Sequence, residues 1–263
     1  MGQIKQTELT KQGKRVKQTE QNKRQKHLAQ EASTVHNPVD ASYKSLLQTK
    51  KAFVQLLRYF LKEQWVEQVD EQRVQRIDKS FVLPNFAKRE ADLVYKCRMK
   101  GNDVFFYVLV ELQSTVDQQM PWRLLQYMVE IWRTVVQDTT YASRRRVKFQ
   151  LPPIIPIVVY NGTRRWTARR DFRAYQAESR MFGESTVNFS YYLVDVKRWT
   201  PENQKQLELF LPLAFHFDNM KNMEELLQLL EASIERISKL DETETVALSA
   251  FIYMITLQMA NAD

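Results

Sequence analysis

Apolar positions in this chain recur in three ways: at steps of three and four, at alternate positions, and in unbroken runs. Each pattern predicts a different element. Leu46, Leu47, Phe53, Val54, Leu57, Phe60 and Leu61 fall on one helical stripe that begins just after Asp40. A stretch of intermediate polarity follows. Residues 91–99 (ADLVYKCRM) and 103–113 (DVFFYVLVELQ) read as strands. Over 120–136 the pattern is helical again, with Trp122, Leu125, Met128, Ile131, Trp132 and Val135 on the apolar face. PPIIPIVVY (152–160) is a buried strand ending at an Asn161-Gly162 turn, and FSYYLVDV (189–196) is another. From Pro201 onward the pattern predicts helices alone.

Two strands, a helix and a further strand predict an α/β fold with a central mixed sheet flanked by helices. The helix over 120–136 would be the crossover between two parallel strands. Residues 1–35 stand apart. They contain almost no large apolar residues, and eight Lys and Arg against Glu8, Glu20 and Glu31 give a net charge of +5. Such a segment buries too little surface to offset its ordering entropy and is expected to be disordered. It is either a solubilising tail or an electrostatic contact to nucleic acid. Three regions result: a basic tail (1–35), an α/β domain (36–200) and a C-terminal helical region (201–263).

Composition narrows the classes. The 263 residues are 44% hydrophobic, with 39 Lys and Arg against 31 Asp and Glu, a formal charge of +8. That balance points toward a polyanionic partner. One cysteine, Cys97, excludes an internal disulfide framework and a cysteine-based zinc site, and fits a reducing, cytoplasmic setting. The first residues carry no apolar core of a secretory signal. Apolar runs such as 104–110 are too short to span a bilayer, so no membrane partner is expected.

The run VFFYVLVELQS (104–114) ends in a carboxylate and an amide two positions apart, and therefore on the same face of a strand. If Gly101 and Asn102 form a two-residue hairpin loop, facing residues have numbers summing to 203, and Asp92 lies opposite Glu111 with Cβ atoms about 5 Å apart. Directly opposed carboxylates repel unless one is protonated, a cation lies between them, or both bind a divalent ion. Magnesium suits such a pair. The alternative is that both acids mark where the strands leave the core for water.

The segments EADLVYKC, VFFYVLVELQSTVDQQMPWRLLQYMVEIW and IIPIVVYNG, with the opening HNPVDASYKSLL, resemble the Rpn/YhgA-like recombination-promoting nucleases, a transposase-like bacterial group within the PD-(D/E)XK nuclease superfamily. The resemblance runs from about His36 to about Trp166. It implies a restriction-endonuclease-like core and a magnesium-dependent DNA endonuclease that hydrolyses phosphodiester bonds in recombination. Asp92 takes the sheet aspartate, Glu111 the first position of the E-x-K element and Gln113 its third; Asp92 and Glu111 would bind the metal. Gln113 departs from the superfamily lysine, although this branch resembles E-x-Q. Because Gln can only hydrogen-bond, positive charge must come from elsewhere. Lys44, Arg89 and Arg123 are candidates, and Arg123 shares a helix face with Tyr127. Asp40 is either a helix N-cap or an acid approaching the metal. Lys44 is either a surface lysine or a phosphate contact.

Two basic sets flank the strand over 152–160: Arg144, Arg145 and Arg146 before it, and Arg164, Arg165, Arg169 and Arg170 after it. They are expected to lie at its opposite ends and to bind DNA phosphates. Residues 218–244 are acidic, with eight acids against three bases. Their apolar stripes would cover the sheet or join two copies in a homo-oligomer. The alternative function is a DNA-binding or transposition-accessory protein that keeps the fold without hydrolysis.

Overall fold

The computed structural model describes residues 38–78, 93–111, 116–146, 148–202 and 204–261; the side chains at 38–40, 110, 111 and 204 also fall outside the description. The expected tail (1–35), Arg89, Asp92 and Gln113 lie outside the described residues, as does the Glu111 side chain.

The first apolar stripe is divided between two helices, α1 (Pro38–Leu47) and α2 (Lys50–Leu56), the second continuing as a π turn over Leu57–Leu61. The break falls at Thr49, whose side chain accepts from the Ala52 N–H at 3.1 Å and caps α2. Asp40 is the third residue of α1, which starts at Pro38, so it is not that helix's N-cap. An acid in the first turn still favours the helix through its dipole.

Among the described residues five strands form one sheet in the order β1-β2-β3-β4-β5. They are β1 (Val74–Ile77), β2 (Leu93–Met99), β3 (Asn102–Glu111), β4 (Ile154–Tyr160) and β5 (Tyr192–Asp195). The first three pair antiparallel, and β4 and β5 run parallel to β3. Helix α3 (Met120–Asp138) makes the crossover from β3 to β4. The sheet is mixed and helix-flanked, as its element order predicts.

The hairpin loop differs from the expected one. Met99 pairs with Asn102 and Leu93 with Val108, so facing numbers sum to 201, and the loop is Lys100-Gly101. Lys100 (φ 47°) and Gly101 (φ 87°) both adopt positive φ. That is the type I′ pattern, which takes its glycine at the second loop position; reading Gly-Asn as the loop put glycine first.

Strand alternation divides the core into two layers. Leu93, Tyr95, Phe106, Val108, Ile157 and Val159 face α1, α2, α4 (Phe210–Asp218) and α5 (Glu242–Ala260). Val94, Phe105, Tyr107, Leu109, Ile154 and Val158 face α3. On α3 the buried face is turned from the expected one: Leu124 and Tyr127 are inside, while Trp122 is 45% exposed. Tyr95 stacks on Phe53 at 4.1 Å between centroids, fixing α2 to β2.

The C-terminal helices share the core of the sheet rather than forming a separate one. Among the described residues one helix, α5, is long and apolar enough to cross a membrane, contrary to the expectation that every apolar run is too short. Its Ala247, Leu248, Phe251, Met254 and Ile255 are buried in that core. A capping box between Asp241 and Glu244 sets its start.

Candidate functional site

The three parallel strands end on one rung. Glu111 pairs with Tyr160, and Tyr160 with Asp195. Ligands of open parallel sheets bind beyond such carboxyl ends. Position 111 has the strand parity of Tyr107 and Leu109, which face α3. Beneath it, Tyr107 stacks on Tyr127 of α3 at 4.6 Å, and both are fully buried. Arg123, one turn before Tyr127, donates to Asp117 Oδ2 at 2.7 Å. Its charge, expected to be available, is already matched by an acid.

The expected sum of 203 does not hold for the described rungs, so the direct opposition of Asp92 and Glu111 built on it loses its basis. A two-residue loop moved by one position changes the sum by two. That leaves unaltered which residues share a face.

The loop after β4 explains why Tyr160, Asn161 and Gly162 occur together. The Tyr160 hydroxyl turns back to donate to the Arg164 carbonyl at 2.9 Å. A Cβ at position 162 would lie 2.2 Å from that hydroxyl, so only glycine fits. Arg198 grips Asp195 at 3.0 and 3.1 Å and donates to the Thr163 carbonyl at 2.8 Å, tying this loop to the end of β5.

Asn161 joins a buried polar cluster that the sequence did not reveal. Its Nδ2 donates to the Tyr43 hydroxyl at 2.9 Å and to Asp218 Oδ2 at 3.1 Å. Tyr43 donates to the same oxygen at 2.8 Å, and Lys197 pairs with it at 2.8 Å. Burial, and then the Asp218 charge, hold the Tyr43 hydroxyl well above its ordinary pKa. The cluster fastens α1 to the ends of β4 and β5. Asp40 and Lys44 thus sit on a helix of the layer opposite α3. Lys44 is half-buried. The cluster's members are distant in sequence, and none carries a local signal of it.

Arg144, Arg145 and Arg146 precede β4 and are exposed, with the first two over the Tyr141 ring at 5.8 and 5.7 Å. Arg164, Arg165, Arg169 and Arg170 follow β4 and are exposed as well. The seven residues of β4 span roughly 20 Å at strand rise, so the later set leaves from the Glu111 end of the sheet.

A family profile described as "Putative transposase, YhgA-like" matches residues 37–247. The chain belongs to this family. Among curated proteins it is 26% identical over 131 residues to the recombination-promoting nuclease RpnD of Escherichia coli O157:H7, covering 50% of this chain and 48% of that protein. It is 25% identical over 128 residues to RpnC of E. coli K12, a protein of the same description, covering 48% of this chain and 39% of that protein. Over 130 residues it is 23% identical to RpnE of E. coli K12, described as an inactive recombination-promoting nuclease-like protein, covering 49% and 41%. The chain spans about half or less of the length of these curated relatives. No solved structure matches it.

Proposed function

We propose that this chain is a metal-dependent DNA endonuclease of the PD-(D/E)XK type, hydrolysing phosphodiester bonds in recombination at the Glu111 end of the sheet. The observation that carries this reading is the place of Glu111. It closes a buried strand at the carboxyl edge of three parallel strands, beside a loop of exposed arginines, and the relatives are named as nucleases.

Asp92, Glu111 and Gln113 offer two carboxylates and an amide oxygen, a hard donor set that suits magnesium. No group of three or more His, Cys, Asp or Glu able to hold a metal occurs among the described residues to compete with it. A bound magnesium ion would supply Lewis-acid charge at the scissile phosphate and make a water acidic enough to act as nucleophile near neutral pH. Asp92 and Glu111 would hold the ion. Gln113 orients the attacking water or a phosphate oxygen by hydrogen bonding, without contributing charge. With Arg123 matched by Asp117, the positive charge comes from Arg164, Arg165, Arg169 and Arg170, which neutralise phosphates and set the duplex against the sheet edge. Arg144, Arg145 and Arg146 contact the duplex further out. Plasmid nicking with magnesium tests this reading: wild type cuts, and Glu111→Ala binds DNA without cutting. Equal cutting by both would remove Glu111 from the site.

The similarity to RpnE and the glutamine at 113 favour a second reading, a DNA-binding or transposition-accessory protein without hydrolysis. Absence of nicking by wild type at any magnesium concentration, with duplex binding retained, would select it.

A further inference from the structure

The excursion between β4 and β5 exposes apolar side chains that a fold would ordinarily cover. Met181 is 79% exposed, Phe182 56%, Val187 50% and Tyr175 38%. They sit on a built support. Met181 and Phe182 end a single helical turn, Ser179–Phe182, bounded by two residues of positive φ, Glu178 (52°) and Gly183 (54°). Ser179 Oγ donates to the Arg173 carbonyl at 2.6 Å, Gln176 Nε2 to the Val187 carbonyl at 2.7 Å and Thr186 Oγ1 to the Gly183 carbonyl at 2.9 Å. Phe172 stacks on Phe189 at 5.1 Å below, next to a backbone bridge between Asp171 and Ser190. The turn is held out by specific hydrogen bonds, including one non-glycine residue in a conformation that costs free energy.

Charge identifies what this tip meets. The excursion carries Arg164, Arg165, Arg169, Arg170, Arg173 and Arg180 against Asp171, Glu178 and Glu184, a net charge of +3. None of the six arginines makes an ion pair or a side-chain hydrogen bond among the described residues, which they share with Arg144, Arg145 and Arg146, while Arg73, Arg123, Arg133 and Arg198 are each paired with an acid. Guanidinium groups without acid partners, in the same excursion as an exposed apolar tip, match a polyanion whose interior is apolar and stacked, which describes a nucleic acid duplex.

We infer that Met181 and Phe182 form a wedge that enters the base stack of duplex DNA while the surrounding arginines hold the phosphates. The inference rests on the proposed DNA-cleaving function and adds that the substrate is deformed. Apolar wedges that unstack one step bend the duplex and let it wrap more protein.

The test uses the full chain in EDTA, so that binding is read without cleavage. Duplexes carry 2-aminopurine at successive positions and a fluorophore pair at their ends. Wild type should raise 2-aminopurine fluorescence at one step and shorten the end-to-end distance. Met181→Ala with Phe182→Ala, both exposed and outside the core, should lose both signals and weaken binding roughly tenfold. The slope of log Kd against log salt should stay at the wild-type value, because every phosphate-binding arginine is kept. Wild-type fluorescence and affinity in the double variant would overturn the wedge, as would a reduced salt slope, which would make the turn a phosphate contact. A concentration-dependent mass in light scattering that the double variant abolishes would overturn it too, by showing a second copy on the patch. Failure of wild type to bind duplex would remove the DNA reading along with it. Cutting by Glu111→Ala with the fluorescence signal intact would remove only the catalytic assignment.

Discussion

The Tyr43 hydroxyl donates to Asp218 Oδ2 at 2.8 Å across 175 positions of sequence. Asn161 and Lys197 converge on the same carboxylate oxygen. Four chain segments are therefore fastened at one buried acid, next to the rung that ends in Glu111. Buried acids of this kind stabilise only while their donors are in place, and losing one partner leaves the others unmatched.

Asp218→Ala should accordingly destabilise the fold by about 3 kcal/mol, at the low end for a buried pair because Lys197 is 29% exposed and can rehydrate. Tyr43→Phe removes one donor and keeps the ring, which packs edge-on against Phe251 at 5.0 Å, so its cost should be about 1–2 kcal/mol. Urea unfolding of the two variants measures both. Equal, negligible losses would mean that water replaces the cluster without penalty.

The two arginine sets should separate by distance from the cutting edge. Replacing Arg164 and Arg165 with Gln should lower cleavage and reduce the salt slope of binding by roughly one for each phosphate that is no longer neutralised. Replacing Arg144, Arg145 and Arg146 should reduce the slope on long duplexes and leave cleavage of a short duplex unchanged, since β4 keeps the sets roughly 20 Å apart. Filter binding at several salt concentrations, with cleavage of duplexes of two lengths, checks this. Equal effects on the short duplex would place both sets on one contact surface.

How much of this was legible depends on how strongly each segment was patterned. The sheet strands β2, β3 and β4 carry long apolar or alternating runs, and their positions and the parallel crossover through α3 were readable. Strand β1 was missed because it has four residues and buries only Val74 fully. The rotation of α3 was misread because Trp122 was placed on the apolar face, while Tyr127 is held inside by stacking on Tyr107, a contact between helix and sheet. The polar cluster was invisible for the same reason: Tyr43, Asn161, Lys197 and Asp218 are distant in sequence, and none has a local pattern. Glu111 stood out because a carboxylate ending an apolar strand breaks the pattern around it.

Alkaline pH should weaken the fold through buried tyrosines. Burial pushes the Tyr191 hydroxyl up to about 12, raises Tyr95 further, and raises Tyr43 well above its ordinary value by the same cause. The unfolded chain releases these protons near pH 10 and the folded chain retains them, so stability is fully present below about pH 10 and falls as pH rises toward the folded values. Tyr191 also accepts from Trp166 Nε1 at 2.9 Å. Tyr191→Phe should start with a lower melting temperature at pH 8 and lose less than wild type between pH 9.5 and 11.5. Thermal melts across that range decide it. Parallel curves for the two proteins would show that Tyr191 ionises in the folded state as freely as in the unfolded one.

Metal linkage gives a test of the acid pair that does not depend on catalysis. An ion that binds only the folded chain raises the melting temperature according to RT ln(1 + [L]/Kd). For wild type the melting temperature should therefore rise with magnesium, by about 2.7 kcal/mol of added stability when the ion is at a hundred times its Kd. Asp92→Asn removes one charged ligand and keeps the shape. In EDTA it should melt at or above the wild-type temperature, because like charges sharing a face repel when nothing lies between them. With magnesium its rise should shrink. The two shifts have opposite signs, and an acid that served only as a salt-bridge partner would give the reverse: a lower melting temperature in EDTA and an unchanged response to the ion. That second pattern, seen for Asp92→Asn and again for Glu111→Gln, would move the metal site away from this sheet edge.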